Sequence, residues 1–183
     1  PTVDDLTRSM GNVSFYYQGR IIENIRISNT VDAYAVNGWE SMKLENHSGI
    51  VDNYRFPKGD PEVMARYNAP LYLAVKMNRK VVSTGDTTLV DTYIVNEKNL
   101  KGSYILNLVA KDESGNVVAS HKERVTVKGG NDYGQCLQSG WAFIPKSKGY
   151  TRIEASLLKG KTELVKGDDL LFAVELNTKG ITT

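Results

Sequence analysis

Across residues 71–176, apolar and polar residues alternate with a period of two. Leu71, Leu73 and Val75 point to one side of an extended chain, with Tyr72, Ala74 and Lys76 on the other. Tyr104, Leu106, Leu108 and Ala110 alternate in the same way with Ile105, Asn107, Val109 and Lys111. Ile153, Ala155 and Leu157 alternate with Arg152, Glu154 and Ser156, and Leu170, Phe172 and Val174 with Leu171, Ala173 and Glu175. Half-buried antiparallel strands need this pattern, because successive side chains leave opposite faces of the sheet. Turn chemistry separates the runs: Thr84-Gly85-Asp86, Lys101-Gly102, Glu113-Ser114-Gly115-Asn116, Gly129-Gly130-Asn131, Lys159-Gly160-Lys161 and Lys166-Gly167-Asp168. The pattern predicts about seven strands, beginning near Leu71, Thr88, Ser103, Val117, Gly134, Thr151 and Leu170, in a stretch the size of an immunoglobulin-like sandwich. Tyr150 opens the sixth of these, where a tyrosine corner would cap a backbone turn.

The segment before these strands is irregular. Asp60 can cap a helix, Pro61 suits its first position and Glu62 suits the positive end of its dipole. Asn68 and Pro70 would stop this short helix. Further upstream, Val13-Ser14-Phe15-Tyr16-Tyr17 and residues 21–27 read as strands joined by Gln18-Gly19-Arg20, with a third over 31–36. The expected fold is mainly β: an immunoglobulin-like antiparallel β-sandwich with a partly stranded N-terminal extension and one short helix. Two domains follow, 1–69 and 70–183. A few strands alone are marginal in water, so the extension should pack on the sandwich or on another part.

Composition narrows the function classes. The net charge is +2, and Lys and Arg are spread without a cluster, which argues against a nucleic-acid partner. No apolar run approaches the roughly 18 residues of a membrane span. Cys136 is the single cysteine, so no internal disulfide forms. The chain opens at Pro1 and ends in a weakly patterned tail, which reads as an excerpt of a larger protein.

The candidate chemistry is sparse. His47, His121 and Cys136 lack metal-ligand spacing, so no metal or other cofactor is expected. His121 reads as an exposed strand residue and Cys136 as a small buried hydrophobe. Asn96-Glu97 ends an apolar strand, as the general acid of a retaining glycosidase does. That chemistry needs a second carboxylate roughly 5 Å away, and a loop into another strand follows instead. Asn37-Gly38-Trp39-Glu40, close before His47, joins a turn to a large aromatic and an acid. Trp39, Glu40 and His47 are therefore the candidate carbohydrate-binding residues, although Trp39 reads more readily as a plug between substructures, because pockets are few per protein. Trp141 reads as packing within its strand.

The run His47-Ser48-Gly49-Ile50-Val51-Asp52-Asn53-Tyr54-Arg55-Phe56-Pro57-Lys58 resembles the end of the catalytic barrel of glycoside hydrolase family 2, in its large bacterial β-galactosidase-like multidomain members. In that family a G-[IL]-V-D-x-x-R-x-P-K stretch follows the last barrel strand. A final helix and an immunoglobulin-like domain come next, similar here to residues 60–67 and the strand opened by Pro70-Leu71-Tyr72. The resemblance implies partners in the catalytic barrel and other domains of a parent enzyme, and a periplasmic or secreted location. It supplies no catalytic residue, because the family's two catalytic glutamates lie earlier in the barrel. The expected function is a non-catalytic accessory domain of a β-glycosidase. The alternatives are an autonomous carbohydrate-binding module, with an oligosaccharide partner on a platform of Tyr16, Tyr17, Tyr34, Trp39 and Tyr54, and a surface adhesion domain.

Overall fold

The computed structural model describes residues 1–36, 38, 40 and 49–175. The chain divides into two compact units, Pro1–Pro70 and Leu71–Thr183. The first contains the helices α1 (Val3–Ser28) and α2 (Pro61–Tyr67). The second contains the strands β1 (Leu71–Met77), β2 (Val81–Ser83), β3 (Thr88–Asn96), β4 (Gly102–Lys111), β5 (Val117–Val127), β6 (Gly134–Phe143), β7 (Gly149–Lys159) and β8 (Thr162–Val174). The fold is mainly β.

In the first unit the expected strands are corrected. Residues 13–17 and 21–27 are turns of one helix, α1, and residues 31–36 form no strand. Two features outweigh the β propensity of their Val, Ile and aromatic residues. The first is a capping box: Thr2 Oγ1 accepts from the Asp5 amide at 3.1 Å, and Asp5 Oδ2 accepts from the Thr2 amide at 2.8 Å. The second is a buried stripe, Gly11, Phe15, Gly19, Ile22 and Arg26, whose spacing of four, four, three and four places it on one helix face. Asn29 ends the helix in the left-handed conformation, with φ of 55°.

The two glycines of that stripe are points of close approach. A Cβ on Gly11 would stand 1.8 Å from the Lys58 carbonyl oxygen, and one on Gly19 would stand 2.0 Å from the Tyr67 ring. The segment that runs into α2 is thus laid against the α1 backbone. α2 starts as its sequence predicts: Asp60 caps the Glu62 amide at 3.0 Å and Pro61 takes the first position. The Asp60 amide donates to Asn12 Oδ1 at 2.6 Å. At the other end, Arg26 donates to the carbonyls of Tyr67 at 2.5 Å and Ala69 at 2.7 Å. Its guanidinium thereby meets the negative end of the α2 dipole. Arg20 and Glu23, both buried, pair one turn earlier at 3.1 Å.

The second unit is a two-layer sandwich. One sheet has the order β1-β3-β6 and the other β2-β8-β7-β4-β5. All pairings are antiparallel except β2 with β8, which is parallel. After β1 the chain changes sheets. Asn78 Oδ1 accepts from Thr88 Oγ1 and the Leu89 amide, both at 2.9 Å, which holds the crossing to the first sheet. Lys80 then pairs at 2.7 Å with Asp169, a fully enclosed carboxylate on β8. Leu73, Val75, Val90 and Ile94 from one sheet meet Leu106, Leu108, Ile153, Leu157 and Leu171 from the other, all buried. Each such side chain contributes about 1.5–3 kcal/mol when taken out of water.

Three expectations change here. Lys166-Gly167-Asp168 is not a turn, and the last strand begins at Thr162. The actual turn is the two-residue loop Gly160-Lys161 between paired Lys159 and Thr162, with Gly160 at φ of 62°. Gly167 serves close packing instead, because a Cβ there would stand 1.8 Å from the Leu73 carbonyl oxygen on β1. β2, three residues long, is an eighth strand that periodicity did not reveal. Tyr150 is no tyrosine corner: it is half exposed and its ring packs on Phe172, centroids 4.7 Å apart. The corner-type bond is made by Tyr104 on β4, a buried ring whose hydroxyl donates to the Lys101 carbonyl at 2.9 Å. Such a bond is worth about 1 kcal/mol.

Candidate functional site

Residues 49–58 form a compact turn built on Asp52. Its carboxylate oxygen Oδ1 accepts from the amides of Tyr54 at 2.8 Å and Phe56 at 2.9 Å. The Asp52 amide donates to the Phe56 carbonyl and the Arg55 amide to the Asp52 carbonyl, both at 2.9 Å. Arg55 takes a left-handed conformation, φ of 67°, at the apex. Asp is suited to this place because its short carboxylate can accept from amides two and four residues on. Val51 forms isolated bridges to Glu40 and to Pro57.

Of the candidate carbohydrate-binding residues, Glu40 lies in this neighbourhood. It pairs with Arg55 at 3.8 Å, both side chains largely in water. An exposed pair of this kind contributes little to stability. Trp39 and His47 lie outside the described residues. The turn also presents two rings that are mostly exposed, Tyr54 and Phe56. Phe56 was not singled out in the sequence; the signal available was the Asp52 turn, which leaves the residues on its outer side without cover. The remaining tyrosines of the proposed platform do not share a plane. Tyr16 and Tyr17 meet edge to face, 5.3 Å apart at 74°. Tyr34 donates its hydroxyl to Asn68 Oδ1 at 2.6 Å, at the end of α2.

Two buried or half-buried groups in this unit have shifted acidities. Burial pushes the Lys58 ammonium below its usual range, with Asp52 opposing the shift. Burial likewise raises the Tyr67 phenol, although the Arg66 charge favours its ionised form. Tyr67 is fully buried with its ring against Gly19, and the Lys58 carbonyl lies against Gly11.

In the sandwich, Asn96, weighed with Glu97 as a strand-end pair, serves local structure. The side chain of Asn96 is buried and closes its own turn, donating to the Leu100 carbonyl and accepting from the Leu100 amide, both at 2.8 Å. Glu97 beside it is exposed. Cys136 is exposed rather than buried, a correction whose cause is β6 itself. That edge strand shifts register twice against β3, so the simple alternation fails there. The thiol is raised by desolvation and by the Asp91 carboxylate, and it donates to the Gln138 carbonyl at 3.4 Å. It is held as a thiol, which is a poor nucleophile.

His121 is half buried, not a fully exposed strand residue. It stacks on Trp141, rings 6.1 Å apart at 21°, and lies 3.6 Å from Glu123. Both acidic and basic groups sit on the inward-facing positions of β5, the edge of its sheet. Inward polar groups on an edge strand discourage pairing with another chain. Trp141 packs between Phe143 of its own strand and His121 of β5 in the other sheet, so its packing reaches beyond its strand. Among the described residues, no group of three or more His, Cys, Asp or Glu side chains is placed to hold a metal ion. Among them, too, no helix is long and apolar enough to cross a membrane.

No protein-family model matches this chain, and no curated protein matches it in sequence. Solved structures do resemble it. A glycosyl hydrolase family 2 member from Bacteroides cellulosilyticus is similar at 16% identity and a TM-score of 0.44, over 56% of this chain and 15% of its own. A β-glucuronidase from glycoside hydrolase family 2 is similar at 14% identity and a TM-score of 0.42, over 56% of this chain and 11% of its own. A CARDB domain from Pyrococcus furiosus is similar at 15% identity and a TM-score of 0.38, over 57% of this chain and 87% of its own. The chain thus spans a small fraction of the length of the enzymes it resembles.

Proposed function

We propose that this chain is a non-catalytic accessory portion of a family 2 β-glycosidase. Its sandwich would support and position the catalytic barrel and other domains of that parent. The observation that carries the reading is the order of parts. The motif Gly49-Ile50-Val51-Asp52-x-x-Arg55-x-Pro57-Lys58 forms a turn built on Asp52, α2 follows, and the sandwich begins at Leu71. The side chain of Asn96, next to the tempting carboxylate of Glu97, closes a turn with Leu100. A sandwich by itself hosts many functions, so the assignment rests on the junction rather than on the β architecture.

Purified chain incubated with chromogenic β-galactosides and β-glucuronides should release no chromophore above the rate of buffer. Turnover that survives repurification and is lost on Glu40→Gln or Glu97→Gln would overturn the non-catalytic reading.

A further inference from the structure

Lys and Arg are spread along the sequence, but the register of the five-stranded sheet brings some of them together. Asn107 on β4 pairs with Lys122 on β5 and with Ser156 on β7, and Ser156 pairs with Lys166 on β8. The four residues form one row across four strands, about 14 Å from end to end at the usual strand spacing. The row lies on the outer face of the sheet, because Leu106, Leu108, Ala155 and Leu157, the chain neighbours of Asn107 and Ser156, are buried in the core. Arg124, two residues from Lys122, shares that face. Lys122, Arg124 and Lys166 are exposed, and Asn107 and Ser156 are half buried. Other charges on this face are neutralised within it: Lys111 meets Glu154 at 2.7 Å, and Arg152 meets Asp168. Among the described residues, Lys122, Arg124 and Lys166 form no ion pair, and the side chains of Asn107 and Ser156 make no hydrogen bond. Glu163, in register with Leu158, is the carboxylate beside this row, and it makes no ion pair either.

We propose that this row is a docking site for an acidic protein segment laid across the strands. Its carboxylates would meet Lys122, Arg124 and Lys166, and its backbone would meet Asn107 and Ser156. An amide and a hydroxyl each donate and accept, which is what a peptide backbone requires. Ile105, Val109 and Leu158, half buried in the adjoining rows, put apolar surface between the charges. Apolar surface with a charged rim is the anatomy of a protein interface, and complementary charge guides the encounter. A nucleic acid or a glycan is matched less well, because neither adjoining row carries an aromatic ring on which a base or the face of a sugar could stack. The inference goes beyond the accessory reading: the row belongs to the sandwich itself and does not depend on a catalytic barrel.

Titration of the nitrogen-15-labelled full chain with poly-L-glutamate, followed by amide chemical shifts, tests it. Saturable shifts should gather on residues 105–109, 120–124, 154–158 and 163–168, and binding should weaken as salt rises. Lys122→Glu together with Lys166→Glu should weaken binding roughly ten-fold, since like charges then meet. Lys98→Glu, an exposed change in the loop after β3, should leave it unchanged. Absence of saturable shifts, or shifts spread evenly over the lysines of the chain, would overturn the proposal. An equal loss in Lys98→Glu would overturn it too. A single-stranded oligonucleotide or heparin that binds this row more tightly than poly-L-glutamate would also overturn it and assign the row to another polyanion.

Discussion

Gly11→Ala should destabilise the first unit by about 3 kcal/mol, although helix propensity alone favours alanine over glycine by about 1 kcal/mol. The sign is the point of the experiment. A Cβ at residue 11 would stand 1.8 Å from the Lys58 carbonyl oxygen and 2.9 Å from the Gly59 amide nitrogen. These are backbone atoms, so no rotamer change relieves the overlap. The helix must back away from the segment that leads into α2, and the cost reaches the upper end of overpacking penalties, about 1–3 kcal/mol. Urea titration followed by helical circular dichroism gives the answer. Thr7→Ala, on an exposed position of the same helix, should be neutral or slightly stabilising. A Gly11→Ala chain as stable as Thr7→Ala would mean that α1 does not lie on the segment from Lys58 to Tyr67.

Glu23→Ala should cost about 3–5 kcal/mol, the usual loss when one member of a buried ion pair is removed. Glu23 is fully enclosed, Arg20 nearly so, and they meet at 3.1 Å. Without the carboxylate, the Arg20 guanidinium keeps its charge in the same enclosed place and loses the group that offsets its desolvation. Replacing both residues together, Arg20→Met with Glu23→Leu, should recover most of the loss, because a well-packed apolar pair has no desolvation cost to offset. A double-mutant cycle therefore yields a coupling energy of a few kcal/mol. Additive single and double effects would show that the two side chains do not depend on each other.

Both predictions turn on residues whose role the sequence concealed. Glycine has two uses in this chain, and periodicity sees only one of them. At Gly160 it supplies a positive φ for a hairpin, and there the turn signal was legible. At Gly19 and Gly167 it lets another part of the chain come within backbone distance, and each looked like a turn. Reading Gln18-Gly19-Arg20 as a turn split α1 into two strands, because the stripe Gly11, Phe15, Gly19, Ile22 has two members without side chains. The β-branched and aromatic residues around it then carried the strand reading. Reading Lys166-Gly167-Asp168 as a turn moved the start of β8 from Thr162 to near Leu170 for the same reason.

Where local chemistry and tertiary packing agree, the reading holds. The Asp60-Pro61 start of α2 and the starts of β1, β3, β5 and β6 all lie where alternation and turn residues placed them. The candidate site was less legible. Trp39 and His47 fall outside the described residues, and Glu40 pairs with Arg55 at the surface. The aromatic contact that the structure does assemble, His121 on Trp141, joins β5 to β6 across two sheets, and no local pattern encodes such a meeting.

The most direct measurement of the accessory reading is a titration of tryptophan fluorescence against a panel of plant and host oligosaccharides. Trp39 and Trp141 are the two reporters, and Trp141 lies on β6 of the sandwich. If the chain positions its neighbours and makes no sugar contact of its own, the emission stays flat across the panel. A saturable shift that disappears in Trp39→Ala would contradict that account and make the chain a carbohydrate-binding module with its site in the first unit.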